Sequence, residues 1–293
     1  MKIALRLVIA AFALAGAGSV EAADLPSLKA PEPEPTLAPV PAPDGWIVTV
    51  SGQVTFGPSY PGAQRYSYYG VPAISLRRIG EAEPFSTPDD GFSFAFYNTS
   101  LLRVGSVVRV VGDRSAYHNP ALRGLPYEPY SLELGAFAEV TPISWGRLRV
   151  ELRKAVTGYD GLAGTVGGDV WQSWNRFTLS AGPRLYFGDN KYASTYFSVT
   201  PAEAALSQIA GGRLTVYNAV GGLTSAGATA ALRYDINDDW RVTGFGNYQR
   251  LTGSSANSPL AGPRGDGTRD QWNYGLEVAY RFKVGGQLIP GLF

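Results

Sequence analysis

Apolar and polar side chains alternate along most of the chain from Trp46 onward. The longest example is the segment 271–282, in which every even position, from Trp272 to Phe282, is apolar or aromatic and every odd position is polar, charged or small. Because successive side chains of a β-strand point to opposite faces, a period of two predicts a strand with one apolar face. The same alternation recurs in 46–56 and 176–187. The pattern indicates an antiparallel all-β protein.

Turn residues such as Asn237-Asp238-Asp239 separate the alternating segments. We predict twelve strands on this basis, an even number, as in single-chain bacterial outer-membrane barrels. Ten is the alternative, if 191–199 and one early strand are excluded. The connection 200–226 contains a predicted short helix, with Thr200 as N-cap and Glu203 at position N3. The twelve predicted strands are 46–57, 70–78, 91–98, 101–112, 129–141, 146–157, 161–172, 176–188, 191–199, 227–236, 240–252 and 270–282.

Alternation alone does not distinguish a periplasmic β-sandwich from a barrel whose apolar face meets lipid. Three aromatic pairs favour the barrel, because the two members of each pair lie ten positions apart on an apolar face. Ten residues in a tilted strand rise roughly 26 Å, close to the height of a barrel's lipid-facing band, and aromatic residues favour both edges of that band. We therefore predict a transmembrane antiparallel up-and-down β-barrel over 46–282. The predicted interface aromatics are Trp46 with Phe56, Phe177 with Phe187, and Trp272 with Phe282.

The polar faces of three consecutive predicted strands carry charges of alternating sign. Arginines on 101–112 are followed by glutamates on 129–141 and then mostly by arginines on 146–157. Opposite charges on neighbouring strands stabilise each other, and a partly wet lumen spares them full desolvation. We predict that they brace a narrow barrel from inside, with an ion- or solute-selective constriction as the alternative. The predicted lumen charge network is Arg103, Arg109, Glu133, Glu139, Arg147, Arg149, Glu151 and Arg153.

Both ends of the sequence differ from this pattern. Residues 1–22 are typical of a signal peptide: two positive charges precede an apolar run over 7–18, which is shorter than the about 20 residues of a membrane-spanning helix. The segment 23–45 contains seven prolines, which favour an extended periplasmic spacer or docking segment. Residues 283–293 are predicted to be a short tail, because two glycines and Pro290 interrupt the alternation.

Composition excludes several kinds of chemistry. The 293 residues include 25 Lys and Arg, 24 Asp and Glu, one histidine and no cysteine. The near-zero net charge gives no electrostatic basis for nucleic-acid binding. Disulfides and thiolate metal sites are impossible without cysteine, and a single histidine, His118, argues against a zinc site or histidine-based catalysis. We therefore predict no catalytic residues, no cofactor and no metal.

Several stretches of the sequence, taken in order, resemble the MipA/OmpV family of outer-membrane proteins. The most specific are TPAEAA at 200–205 and SPL at 258–260. The resemblance covers about residues 46–282, although the proline-rich segment is longer than usual and the chain continues past the usual YRF end. The full set is FGPSYPG (56–62), NPALRGL (119–125), SLELGAFAEV (131–140), YFSVTPAEAALSQI (196–209), ALRYDINDDWRVTGFGNYQRLTGSSANSPL (231–260) and YGLEVAYRF (274–282).

This resemblance implies a barrel in contact with lipid in the outer membrane of a Gram-negative bacterium. The best-known family member is described as a scaffold that joins a lytic transglycosylase to a bifunctional penicillin-binding protein. The resemblance therefore implies a scaffold that recruits murein-remodelling enzymes at the cell envelope. A narrow channel for small solutes is the alternative.

Overall fold

The computed structural model describes residues 45–117, 119–262 and 267–285. Within these ranges, eleven strands form one sheet that curves into a nearly closed barrel, as the alternation predicts, and every hydrogen-bonded pair of strands is antiparallel. The predicted signal peptide, nearly all of the proline-rich segment, His118 and residues 286–293 lie outside the described residues. The strands are β1 (Gly45–Pro58), β2 (Tyr66–Arg78), β3 (Phe92–Asn98), β4 (Leu102–Val111), β5 (Ser131–Ile143), β6 (Gly146–Ala155), β7 (Leu162–Trp174), β8 (Phe177–Gly188), β9 (Gly222–Asp235), β10 (Trp240–Leu251) and β11 (Asp270–Gly285).

The described residues thus contain eleven strands rather than the predicted twelve, because the segment 191–199 is not a strand. It forms most of helix α1 (Asn190–Phe197), and the Asp189 side chain caps that helix by accepting a hydrogen bond from the Tyr192 backbone N–H. Ala193, Tyr196 and Phe197 are its buried residues. Their spacing of three and four places them on one helical face, so a capped helix with a buried face replaces the predicted strand.

The predicted short helix after Thr200 is confirmed as α2 (Pro201–Ile209). The Thr200 side chain accepts from the Glu203 backbone N–H at 3.3 Å, and the Glu203 carboxylate accepts from the Thr200 N–H at 2.7 Å. This reciprocal pair satisfies two donors at the start of the helix. A further helix, α3 (Gly253–Asn257), and a 3₁₀ turn over Pro120–Leu122 lie in the other long connections.

The connections between strands differ in length at the two ends of the barrel. Barrels of this kind have short turns on the periplasmic side and long loops outside, so we name the two ends accordingly. The periplasmic end, where β1 begins and β11 ends, carries the turns 99–101, 144–145, 175–176 and 236–239, and the extracellular end carries the connections 112–130, 189–221 and 252–269.

The two faces of the wall differ in exposure. Leu134 and Val150 are 43% and 48% exposed, whereas their neighbours Glu133 and Arg149 are 1% and 5% exposed. Apolar side chains therefore cover the outside and charged ones the lumen. Outer-face aromatic contacts occur near both ends of the strands: Trp240–Tyr280 and Phe177–Tyr234 at the periplasmic end (ring centroids 4.7 Å apart in both pairs), and Phe56–Tyr68 (4.8 Å) and Tyr248–Trp272 (4.6 Å) at the extracellular end.

The six predicted interface aromatics are all on this outer face. Trp46, Phe177 and Phe282 lie near the periplasmic end, and Phe56, Phe187 and Trp272 lie toward the extracellular end. The final strand, β11, continues three residues beyond Phe282, because Gly285 still pairs with Gly45 of β1.

The order of the strands has an unusual break. The ladder runs β2-β1-β11-β10-β9-β8-β7-β6-β5-β4-β3, so β2 and β3 are its two edges. Ten antiparallel pairings separate these edges, and an even number of reversals means that β2 and β3 both run toward the periplasmic end. They approach each other without forming a ladder within the described residues, and we call this junction the seam.

The connection between β2 and β3 must therefore return the chain from the periplasmic end to the level at which β3 begins. Residues 79–91 make this return inside the barrel, and we call them the lumenal strap. Pro72 in β2 lacks an N–H donor, and a register shift between Ala95 and Tyr97 interrupts β3. Proline and such irregularities occur at strand edges, where they oppose further pairing.

Candidate functional site

The middle of the lumen is filled by ion pairs between side chains of β4, β5 and β6. In the strand register, Arg103 of β4 lies opposite Glu139 of β5, which in turn lies opposite Arg149 of β6. The Glu139 carboxylate is 2.8 Å from the Arg103 guanidinium and 3.1 Å from that of Arg149. Cross-strand register therefore gives one buried carboxylate two arginine partners.

The other members of the predicted network lie on the same lumenal face. The Glu133 carboxylate is 2.8 Å from Arg153 Nε, and the Glu151 carboxylate is 2.9 Å from Arg149 Nε. Arg109, opposite Glu133 in the register, reaches Glu151 at 3.5 Å. The structure thus brings all eight predicted residues together, with Arg147 at the centre.

Arg147 contacts carboxylates from three separate parts of the chain. Its guanidinium lies 2.8 Å from Glu139 of β5, from Asp169 of β7 and from Asp90 of the lumenal strap. Arg184 of β8 extends the network, because it lies 2.8 Å from the other oxygen of Asp169. Sequence reasoning missed Asp169 and Arg184, although both occupy the polar faces of predicted strands.

The strap is held by its own carboxylates. Arg184 Nε donates to Asp89 Oδ2 at 2.7 Å and Arg184 Nη2 to Asp89 Oδ1 at 3.2 Å, a two-pronged arrangement that carboxylates favour. Thr229 adds a third donor to Asp89 at 3.0 Å. Arg147 Nη2 donates to both oxygens of Asp90, at 2.8 and 3.0 Å. The last part of the strap therefore presents two carboxylates, and arginine side chains of the wall bind both of them.

An aromatic contact holds the middle of the strap. The Phe85 ring stacks on Trp171 of β7 with centroids 4.1 Å apart and planes 5° from parallel. The Arg147 guanidinium also lies over the Phe85 ring, 4.8 Å from its centroid. Such a cation–π contact adds to the ion pairs because it is removed from bulk water.

A second group of charges lies near the periplasmic end. Glu83 of the strap lies between Arg241 and Arg281, and its distance to Arg281 Nη1 is 2.8 Å. Asp235 is 2.8 Å from Arg241 Nε. Arg233 donates to the carbonyl oxygen of Ser86 at 3.1 Å. The strap is thus tied to the wall at two heights, by Glu83 below and by Asp89 and Asp90 above.

Little free space remains around the upper attachment. A cavity of about 10 Å³ lies between the strap and the arginines of the wall. This is about the space that one water molecule needs. No room for a larger solute remains between the strap and these arginines, and the residues that line the cavity are Asp89, Asp90, Arg109, Arg149, Glu151, Thr165, Gly167, Asp169 and Arg184.

The extracellular end is covered by packed loops. Tyr159, Tyr196 and Phe197 are central to one buried apolar cluster, and Tyr60, Leu122 and Leu260 belong to a second. The Tyr159 hydroxyl donates to the Glu133 carboxylate at 2.5 Å, which joins these loops to the lumenal network. We call the loops and helices of these two clusters the extracellular cap.

The environment of the cap changes the acidity of its side chains. Burial raises the pKa of Tyr196 to about 12. Burial also raises the pKa of Tyr192, and burial together with the Glu133 charge raises that of Tyr159. At the surface, hydrogen bonds from Lys154 and Lys191 lower the pKa of the Asp160 carboxyl to about 2.

The described residues contain neither a metal-binding cluster nor a helix that spans a membrane. Across residues 45–117, 119–262 and 267–285, no group of three or more His, Cys, Asp or Glu side chains is placed to hold a metal ion. None of the helices in the described part of the chain is long and apolar enough to cross a membrane.

Comparison with known proteins gives one extensive match and several distant ones. A family model described as MltA-interacting protein MipA matches residues 50–282. Outer membrane protein Omp26La of Vibrio anguillarum is 33% identical over 98 residues, which cover 33% of this chain and 34% of that protein, so the match spans about a third of the relative's length.

Two solved structures illustrate the distant matches. An outer-membrane channel from Pseudomonas putida F1 is 8% identical, with a TM-score of 0.41, over 82% of this chain and 96% of that one. OprB of Pseudomonas putida is 9% identical, with a TM-score of 0.37, over 81% and 94% of the two chains.

Proposed function

The chain belongs to the family of the MltA-interacting protein MipA, in the outer membrane of Gram-negative bacteria, and from this premise we propose that it is a membrane-anchored scaffold. Its proposed role is to recruit murein-remodelling enzymes on the periplasmic side. The proposed partners are a lytic transglycosylase and a penicillin-binding protein, the classes implied by the family resemblance.

The filled lumen is the observation that supports a scaffold. The strap and its ion pairs leave a cavity of only about 10 Å³ between the strap and the arginines of the wall, and packed loops cover the extracellular end. A channel for small solutes needs a continuous aqueous path, as in porins. The filled lumen therefore supports an anchoring role over the narrow-channel alternative.

The position of the first strand suggests where a partner would dock. β1 begins on the periplasmic end at Gly45, which is also the last residue of the proline-rich segment 23–45. The periplasmic turns offer little surface, since the longest has four residues. Proline-rich segments are recognised in an extended form that loses little entropy on binding. We assign the docking role to this segment.

Site-specific photocrosslinking in intact cell envelopes tests this proposal. A photoreactive residue at Thr36 should give adducts with a lytic transglycosylase or a penicillin-binding protein, identified by mass spectrometry. The matched control carries the same residue at Ile209, which is 84% exposed on the extracellular side and should give neither adduct. The scaffold role would be contradicted if Thr36 gave adducts with neither enzyme, or if the two positions gave equal amounts of adduct.

Conductance of the wild-type protein in planar bilayers provides a second, independent measurement. A closed anchor should give no steady single-channel steps. Regular steps from the wild type would instead favour the channel alternative.

A further inference from the structure

The lumenal strap balances an excess of positive charge on the wall. At mid-height, the wall contributes six arginines but only four carboxylates, and Asp89 and Asp90 of the strap make the numbers equal. The wall residues of this group are Arg103, Arg109, Arg147, Arg149, Arg153 and Arg184, with Glu133, Glu139, Glu151 and Asp169.

The same relation holds at the periplasmic end. Arg233, Arg241 and Arg281 face the carboxylates of Asp235 and Glu277, and Glu83 of the strap supplies the third negative charge. At both heights the strap thus contributes the missing carboxylates. Without it, these two groups of wall residues would carry three more positive than negative charges.

The strap carboxylates also show what the wall can bind. Asp89 lies in a complete carboxylate site, with two donors from Arg184 and one from Thr229. Asp90 lies against Arg147, 2.8 Å from its Nη2. Arginine forks match carboxylate and phosphate oxygens equally well. The occupied sites are therefore anion sites filled by the protein's own chain.

The topology allows the strap to detach from the wall without unpairing any strand. It belongs to no strand, and the seam between β2 and β3 contains no ladder in the described residues. Displacing the strap from the arginines of the wall, within the lumen, breaks ion pairs, backbone contacts and one aromatic stack, but no pairing of the wall. Arg109, which donates to the Asp89 carbonyl at 2.7 Å, and Arg233, which donates to the Ser86 carbonyl, would each lose their hydrogen bond to the strap and gain a donor that faces the lumen.

We propose that the lumen is an anion pathway and that the strap is its gate. In the closed state Glu83, Asp89 and Asp90 occupy the arginine sites along the path. When these carboxylates leave the arginine sites, small anions that bear carboxylate or phosphate groups, or chloride, take their place. This activity goes beyond the scaffold role and is compatible with it, because the ground state is closed.

Planar-bilayer recordings with gate variants test the proposal. The triple variant Glu83→Gln, Asp89→Asn, Asp90→Asn keeps the shape of the strap but removes the charges that hold it. We expect frequent openings, with a several-fold preference for chloride over potassium from the reversal potential in a salt gradient, since arginines along a narrow path concentrate anions. The matched control, Glu81→Gln, neutralises an exposed strap carboxylate and should remain closed like the wild type.

A second variant covers the case in which the stacking of Phe85 on Trp171 holds the strap in place after its charges are removed. Replacing residues 81–90 by a Gly-Ser sequence of equal length removes the carboxylates and Phe85 together, and it should open the barrel persistently. Heat-modifiable migration on gels shows whether each variant is folded. Folded variants that both remain silent, or that prefer potassium, would overturn the anion gate. Conductance by the wild type would contradict the scaffold proposal alone. The gate proposal would then still predict a higher conductance for the two variants than for the wild type.

Discussion

Arg147 joins the wall, the interior and the strap through one guanidinium group. Its three carboxylate partners come from β5, β7 and the strap, so its side chain connects segments that are far apart in sequence. Removing one partner of a buried ion pair leaves the others charged and without compensation. The cost of losing Arg147 is therefore the cost of leaving Glu139 and Asp169 buried and only partly paired.

We expect Arg147→Ala to lower the free energy of unfolding by about 3–5 kcal/mol. Lys154→Ala is the control, because the Lys154–Asp160 pair is exposed and an exposed pair contributes little to stability. Urea unfolding in detergent, followed by tryptophan fluorescence, measures both. Equal effects of the two substitutions would show that the lumenal network does not stabilise the barrel.

Exposure of single residues also predicts their response to charge. Val150 lies midway along β6 on the lipid face, so Val150→Arg should cost about 2–4 kcal/mol. Ile143 is on the same outer surface at the periplasmic end of β5, where the cost should fall to about 0–1 kcal/mol. Unfolding from lipid vesicles compares the two. A larger cost at Ile143 would place the membrane at a different height on the barrel.

Among the elements, helix α1 is the largest difference from the sequence prediction. The weak alternation of 191–199 suggested a strand. What makes the segment a helix is the N-cap hydrogen bond to Asp189 and the burial of Tyr196 and Phe197 among the loops of the extracellular cap. Burial against other loops is a tertiary effect that a local period does not contain. The α2 helix was predictable because its signal, the Thr200–Glu203 capping box, is local.

The buried tyrosines of α1 make the extracellular cap sensitive to alkali. The pKa of Tyr196 is raised above the value of about 10 of an unfolded chain, to about 12, so folding favours its protonated form. This contribution to stability is complete below pH 10 and is lost as the pH rises to about 12. We expect hydrogen exchange in α1 to accelerate over that interval. Tyr196→Phe, which cannot ionise, should reduce the acceleration, and an unchanged profile in this variant would contradict the assignment.

For the molecule as a whole, the alternation predicted the barrel, the outward and inward faces and eleven of the strands. It did not predict the strap, because 79–91 has no period and its acidic residues have no local partners. One signal was available: with 191–199 removed from the count, eleven alternating strands cannot all pair antiparallel around a closed wall. The chain must then return once from one end of the barrel to the other without forming a strand. The segment that contains Glu83, Asp89 and Asp90 makes this return.

The ladder between the first and last strands makes a prediction about the end of β11. Tyr280 lies opposite Val50 of β1 and Phe282 opposite Val48, so these aromatics lie at the junction of the first and last strands. We expect truncation after Gly285 to leave heat-modifiable barrel in the outer membrane, whereas Phe282→Ala should reduce its amount. Loss of the barrel on truncation, with Phe282→Ala unaffected, would assign insertion to Phe293 instead.

The seam also constrains the order in which the protein assembles. The strap carries four carboxylates, Glu81, Glu83, Asp89 and Asp90, and carboxylates do not pass through hydrocarbon at low cost. The strap must therefore enter the interior before the edges of β2 and β3 meet in lipid. The β1–β11 ladder, which joins Gly45 to Gly285, can be complete by then. We therefore expect the junction of the second and third strands to form last, after the first and last strands have joined.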